Sequence, residues 1–428
     1  MTKVIHHVDL ILRDRTIVHQ HLLLLESVLI LLAMAVFSRS ERQCRFKRVN
    51  SRTRSTCTGN VRRCNICRSG TKIEIWSKAK MNIPNFLCAG VLALLVMPAI
   101  GAEPQGQGKT PPVPPQWAYG FKTPLGSPPA SEPAATPSNQ LAKDDGKPIR
   151  LPGSPLSLTL TQMRGAGAPV DWYPNDHPQM PEVVARNRPG VSACGSCHYP
   201  NGKGDTANAS ISALPYVYFV QTMEDFRKGL RKSADPRKYN TDNMIAYAKA
   251  MTDEEIRETA EYFAAIPFTS RVKVIESKTV PKTRLVAAGV YFALEGNETE
   301  PLGDRIIEMP ETANDFIYRD SRSSTVAYVP VGSIKRGERL VMNGGDGKTT
   351  QCAICHGPDL LGLGPVPGIA GRGPSYLVRQ LFDMQHGYRT GVWTSLMKPA
   401  VEKLSTDDII DIVAYLSSRQ VVAAPAPR

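Results

Sequence analysis

Long apolar runs are missing from this chain of 428 residues. The two best candidates, residues 22–37 and 86–100, fall short of the roughly 20 apolar residues a bilayer-spanning helix needs, and Glu26 interrupts the first. Acidic residues are scarce at the front, with 5 Asp/Glu against 16 Lys/Arg in residues 1–80, and residues 81–102 hold no charge at all. Residues 103–428 are nearly balanced, at 36 Lys/Arg against 34 Asp/Glu. The formal net charge of +13 therefore belongs to the N-terminal stretch, which excludes nucleic acid as a partner of the main body. Cysteine is equally uneven. Of nine, only Cys194, Cys197, Cys352 and Cys355 follow residue 102.

Lys78, Lys80, the apolar run at 86–100 and the small residues before Glu103 form the pattern of a secretory signal cleaved near Ala102. Residues 81–102 are read as that signal, and the expected location is the periplasm. Two export signals in tandem make little physical sense, so residues 1–80 are read as an upstream extension from a start codon placed too early. A retained N-terminal membrane segment, with membrane association, is the competing reading.

The four remaining cysteines fall in two copies of one motif, Cys194-Gly-Ser-Cys197-His198 and Cys352-Ala-Ile-Cys355-His356. Cys-x-x-Cys-His is the attachment signal for c-type haem. Two thiols three positions apart reach the two vinyl groups of one porphyrin, and the adjacent His ligates iron from the proximal side. A zinc site would want four clustered ligands, and a thiol–disulfide motif would not repeat with a His after each copy. Cys64 and Cys67 have the same spacing but precede Arg68, so that pair lacks an iron ligand.

The motifs head an internal repeat. Cys194 set on Cys352 aligns the next 38 positions without a gap, through Arg231 and Arg389, with Gly204/Gly362, Tyr218/Tyr376 and Asp225/Asp383 among the identities. After five extra residues in the first copy, alignment resumes at Met244/Met397. Thioether sulfur suits haem iron as a sixth ligand, and the two methionines share one repeat position, so Met244 and Met397 are the expected partners of His198 and His356. The apolar faces of Ile256, Ala260, Phe263 and Ala264, and of Ile409, Ile412, Val413 and Leu416, predict a final helix in each copy. Residues 218–226 and 376–384 are the expected middle helices, and residues 334–341 a helix entering the second copy.

On these residues the chain resembles class I c-type cytochromes, most closely the di-haem cytochrome c4 group, over roughly 171–268 and 331–420. The resemblance implies a mainly α fold: two class I cytochrome c-like helical haem domains, 171–268 and 331–428, joined by a segment with short β-strands, 269–330. It also implies two covalently bound haem c groups, His/Met ligation and electron transfer. In that family a proline carbonyl often orients the proximal His. Pro367 fits, whereas the first copy has Ala209, so its haem is expected to be held differently. Residues 103–170, rich in Pro, Gly and Ser, read as an extended tether, and Arg305, Glu308, Arg319 and Asp320 as solvated loop charges. Iron with six ligands exchanges electrons but binds no substrate, so the reading is a carrier rather than an enzyme. Its partners would be a donor complex and a terminal oxidase or reductase. A di-haem peroxidase or sulfur-compound oxidoreductase is the alternative.

Overall fold

The computed structural model describes residues 112–422, apart from 129–130, 132–133, 138–139 and 166. The expectations for residues 1–80 and 81–102 lie outside the described residues.

Aromatic side chains decide where the proline-rich stretch goes. Helix α1 (Gln116–Tyr119) is a single turn ending on a left-handed Gly120, and it buries Ala118 and Tyr119. The Tyr119 hydroxyl donates to Asp383 Oδ1 at 2.7 Å, and the Ala118 carbonyl accepts from Arg379 Nη1 at 2.6 Å. Helix α2 (Leu160–Met163) is closed by a reciprocal Thr159–Gln162 cap. It shares a small core with Val170, Trp172 and Tyr173. Over its described part, then, the stretch 103–170 is packed and not a free tether. Its average composition hid Trp117, Tyr119 and the apolar residues 156–163, whose burial outweighs the prolines' preference for extension.

The first helical unit runs through α3 (Glu182–Ala185), α4 (Cys194–His198), α5 (Tyr216–Arg227), α6 (Tyr239–Ala250) and α7 (Asp253–Ala265). Thr252 caps α7, accepting from Glu255 N while Glu255 Oε2 accepts from Thr252 N at 2.8 Å. Such a reciprocal cap satisfies two backbone donors that would otherwise be orphaned. Ile256, Ala260 and Phe263 turn inward together.

Seven strands and one short helix follow: β1 (Val272–Glu276), β2 (Thr279–Pro281), β3 (Thr283–Val286), β4 (Val290–Ala293), β5 (Thr299–Pro301), β6 (Ile307–Pro310), α8 (Ala313–Ile317) and β7 (Thr325–Val329). Strand β7 is central in a sheet of order β1-β7-β6, parallel to β1 and antiparallel to β6. Strands β3 and β4 form a separate hairpin. The second helical unit comprises α9 (Ser333–Asn343), α10 (Ala353–His356), the small hairpin β8 (Gly362–Leu363) and β9 (Val366–Pro367), α11 (Pro374–Gln385), α12 (Thr394–Val401) and α13 (Thr406–Ser418). Ser405 and Asp408 cap α13 as Thr252 and Glu255 cap α7. The architecture is mainly helical with short strands. No helix among the described residues is long and apolar enough to cross a membrane.

The two copies meet about a local two-fold relation. Arg231 and Arg389, one repeat position, pair with each other in an antiparallel bridge, flanked by Lys232 N to Tyr388 O at 2.8 Å and Thr390 N to Leu230 O at 2.7 Å. Their side chains exchange partners. Arg231 donates to Tyr376 Oη at 3.1 Å, and Arg389 to Tyr218 Oη at 2.9 Å. The tyrosines are themselves one repeat position, so this contact is self-complementary in the way a two-fold interface must be.

Close helix packing in the second unit rests on Gly337, at the contact of α9 with α13. A Cβ there would lie 1.8 Å from the Asp411 carbonyl oxygen. Backbone cannot yield as a flexible side chain can, so G337A is expected to cost about 3 kcal/mol. A lowered thermal midpoint checks this.

Candidate haem sites

The helical turn of α4 presents Cys194, Cys197 and His198 to one cleft. Met244 of α6 and Phe219, Met223 and Phe226 of α5 line the same cleft. In the second unit α10 carries Cys355 and His356 directly after Cys352, and Cys352 and Met397 of α12 pack on the same apolar core. All four thiols are free. Burial pushes Cys194 up to about 12 and Cys352 up to about 11, so both are held as thiols.

Each histidine is fixed by a backbone acceptor eleven residues on. His198 Nδ1 lies 2.8 Å from the Ala209 carbonyl and His356 Nδ1 2.7 Å from that of Pro367. A carbonyl only accepts, so Nδ1 carries the proton and Nε2 keeps its lone pair for a metal. Burial pulls both imidazoles below their usual pKa, which favours the neutral ligating form. The exchange of Pro367 for Ala209 therefore leaves the contact intact: the bond uses the main chain, and the different hold expected in the first copy is not what the structure has.

Cationic groups line the first cleft in a way the sequence did not reveal. Arg231, Lys238 and Arg379 face it, and their hydrogen bonds go to hydroxyl, amide and carbonyl oxygens rather than to a carboxylate. Arg231 and Arg389 are each more than nine-tenths buried, and Arg389 Nε has no hydrogen-bond partner. Buried charge without a counter-ion is costly, and a haem brings two carboxylates. Two thiols, a neutral His, a thioether in the same lining and buried cations that hydrogen-bond no carboxylate, with Asp383 as their carboxylate neighbour in the cleft, fit that group. No group of three or more His, Cys, Asp or Glu able to hold a bare metal ion occurs among the described residues, which leaves a zinc reading without a ligand set.

The two remaining histidines among the described residues and the charges of the segment 269–330 are structural. His177 lies between Asp171, at 3.1 Å, and the Pro178 carbonyl, at 2.8 Å, and His386 stacks on Phe382. Glu308, read as a loop charge, is buried where β6 meets α11 and accepts from Ser375 N at 3.1 Å. Arg319 donates to the Ser196 carbonyl inside the first motif. Helices α6 and α12, which carry Met244 and Met397, were not expected from the sequence: α6 has a weak apolar stripe, and Pro399 sits inside the eight residues of α12.

A Cys-x-x-Cys-His turn in a helical shell, its His held neutral by a main-chain carbonyl, defines the class: a c-type cytochrome. Residues 191–266 match the cytochrome c family model. Cytochrome c-554(548) of Halomonas halodenitrificans is 39% identical over 77 residues, 18% of this chain and 93% of that protein. Cytochrome c4 of Stutzerimonas stutzeri is 31% identical over 121 residues, 27% of this chain and 55% of that protein. The solved structure of reduced recombinant cytochrome c4 from Pseudomonas stutzeri has a TM-score of 0.34 and 19% identity, covering 53% of this chain and 93% of that one. The chain belongs to the cytochrome c family. It carries covalent haem c and transfers electrons with redox partners.

C197S and C355S are each expected to remove one thioether and weaken or abolish attachment at that site alone. Haem-stained denaturing gels and intact mass should show one full site remaining. Two undiminished covalent haems in either variant would defeat the assignment of that motif.

Proposed function

We propose that this protein is a periplasmic di-haem electron carrier. The first haem would be held by Cys194, Cys197, His198 and Met244, the second by Cys352, Cys355, His356 and Met397. The observation that carries the reading is the matched pair of His–carbonyl hydrogen bonds at one repeat position. It gives the second motif the same poised ligand as the first, which the family model matches. A haem held by a His and a Met would supply one-electron exchange at each site and leave no position for a substrate.

The chain's own residues then have three tasks. The imidazoles are held neutral and oriented, Phe219, Met223 and Phe226 keep water from the first cleft, and Arg231, Lys238 and Arg379 meet the carboxylates of the bound group. Tyr218 sits among the same cations. Burial raises its phenol, but Arg389 and Arg231 outweigh burial and bring it down to about 8. The junction therefore gathers buried arginines beside Asp225 and Asp383, a setting in which the carboxylates of bound haems would find cationic partners. Partners would be a donor complex and a terminal oxidase or reductase.

As purified, both haems are expected to be low-spin, with a weak Met-to-ferric-iron band at the red end of the visible spectrum. M397A should remove part of that band and let carbon monoxide bind one reduced haem, and M244A should do the same for the other. A wild type with one high-spin haem that turns over peroxide would overturn the carrier in favour of a haem enzyme.

Export by residues 81–102 predicts that the mature protein starts near Glu103. Its intact mass should equal the chain from there plus two haems. Peptides from residues 1–80 in periplasmic material would defeat this.

A further inference from the structure

A second cavity, of about 40 Å³, lies where the loop after the first motif, the start of β1, strand β6 and the N-terminal end of α11 come together. A single water needs about 10–15 Å³ of such space, so there is room for about three oxygen atoms.

Three cations line it. Arg372 is 4% exposed, and Lys203 and Arg271 are half-buried. Arg372 donates to the carbonyls of Gly368, Ser210 and Ser212, at 2.8, 3.1 and 3.2 Å. Lys203 donates to the Asp320 carbonyl and to Ser323 Oγ, and Arg271 to the Arg322 carbonyl. None of the three is ion-paired with a carboxylate among the described residues, and each keeps N–H groups beyond those spent on these bonds. The two carboxylates of the lining are engaged by neutral donors. Asp205 accepts from the amides of Ala207 and Asn208, at 2.9 and 2.8 Å, and Glu308 from Ser375 N and Thr325 Oγ1, at 3.1 and 3.2 Å. With both ionised, three cations against two carboxylates still leave one net positive charge. Thr206 lines the same cavity at 7% exposed, and its hydroxyl has no hydrogen-bond partner in the protein. A buried hydroxyl left unpaired is costly, and a ligand oxygen would relieve that cost.

We propose that this cavity binds a small monovalent oxyanion, of the size and planarity of nitrate, among Arg372, Arg271, Lys203 and Thr206. The guanidinium fork matches paired oxygens on a planar anion. The excess positive charge disfavours a metal cation, and the volume excludes an organic acid of many atoms. The cavity shares Asn208 and Tyr376 with the first haem cleft, so the ion would lie beside that cleft. The proposal is independent of how many haems the chain carries.

Sodium nitrate titrated into the holoprotein serves as the probe, with sodium gluconate, too large for the cavity, holding the ionic strength constant. Calorimetry should show one site with a dissociation constant of about 1 mM or tighter. T206V, which removes the hydroxyl and keeps the side chain's shape, should weaken binding about fivefold. R271Q should weaken it roughly tenfold or more. R257Q, which removes an exposed positive charge from α7, should bind nitrate as the wild type does. Absence of heat beyond the gluconate blank would overturn the proposal, the cavity then holding water or a carboxylate of the haem. Wild-type affinity in both T206V and R271Q would place the ion elsewhere and overturn it too. An equal loss in R257Q would do the same, because the effect would then belong to the overall charge.

Discussion

A hydrogen bond from an imidazole to a main-chain carbonyl sets what each motif can do. A neutral His has one donor and one acceptor nitrogen, and whichever is engaged decides which is left for iron. Here the loop following each motif brings a carbonyl to Nδ1, at Ala209 and at Pro367. The loop keeps its shape through a glycine in the left-handed region, Gly204 in one copy and Gly362 in the other. A Cβ at Gly204 would lie 2.4 Å from the Ala209 oxygen itself, and one at Gly362 2.8 Å from Val366 O. The two glycines are therefore kept for the acceptor's sake. The side chain that bears the acceptor is free to change.

The junction follows from the same two-fold economy. Each arginine reaches across to its repeat-mate's tyrosine, and both pairs are made at once. The consequence is a dry interior with more cations than carboxylates. Burial drags Arg372 down to about 10 and Arg379 below its usual value, which measures how poorly solvated that charge is. Asp383, also buried, is pushed up to about 6 by desolvation despite the Tyr119 and Ala234 donors. A junction built this way is unfavourable for an empty protein and favourable for one holding anionic groups.

The sequence was most legible where chemistry demands a fixed spacing. Cys-x-x-Cys-His and the duplicated final helices need particular residues at particular intervals, so both could be read directly. The tether reading of 103–170 failed because composition averages over a segment, while packing is decided by single anchors such as Tyr119 and Trp172. Helix α6 was invisible because it buries only Ala248 fully and turns Asn243, Met244 and Tyr247 to the cleft, and α12 because its eight residues include Pro399. The Arg–Tyr exchange was present only as two identities in the repeat. Nothing in one dimension says that equivalent residues will seek each other's partners and not their own.

Duplication makes two equal faces, and the inserted segment makes them unequal. Strands β3 and β4 and the turn at residues 319–323 need apolar and hydrogen-bonding surface to pack on, since short strands are marginal by themselves. The first copy supplies it with Ala207, Asn201, Lys203 and the Ser196 carbonyl. Polar residues there are matched to the carbonyl and hydroxyl groups of the insert. The second copy lacks a covering segment among the described residues and has leucine and isoleucine where the first has lysine, aspartate and serine. Were those leucines pressed under an insert like the first copy's, its polar groups would be buried without partners. The residue types in the first copy thus fit the chain's own polar turn, and the second copy, with no such turn on it among the described residues, carries apolar side chains instead.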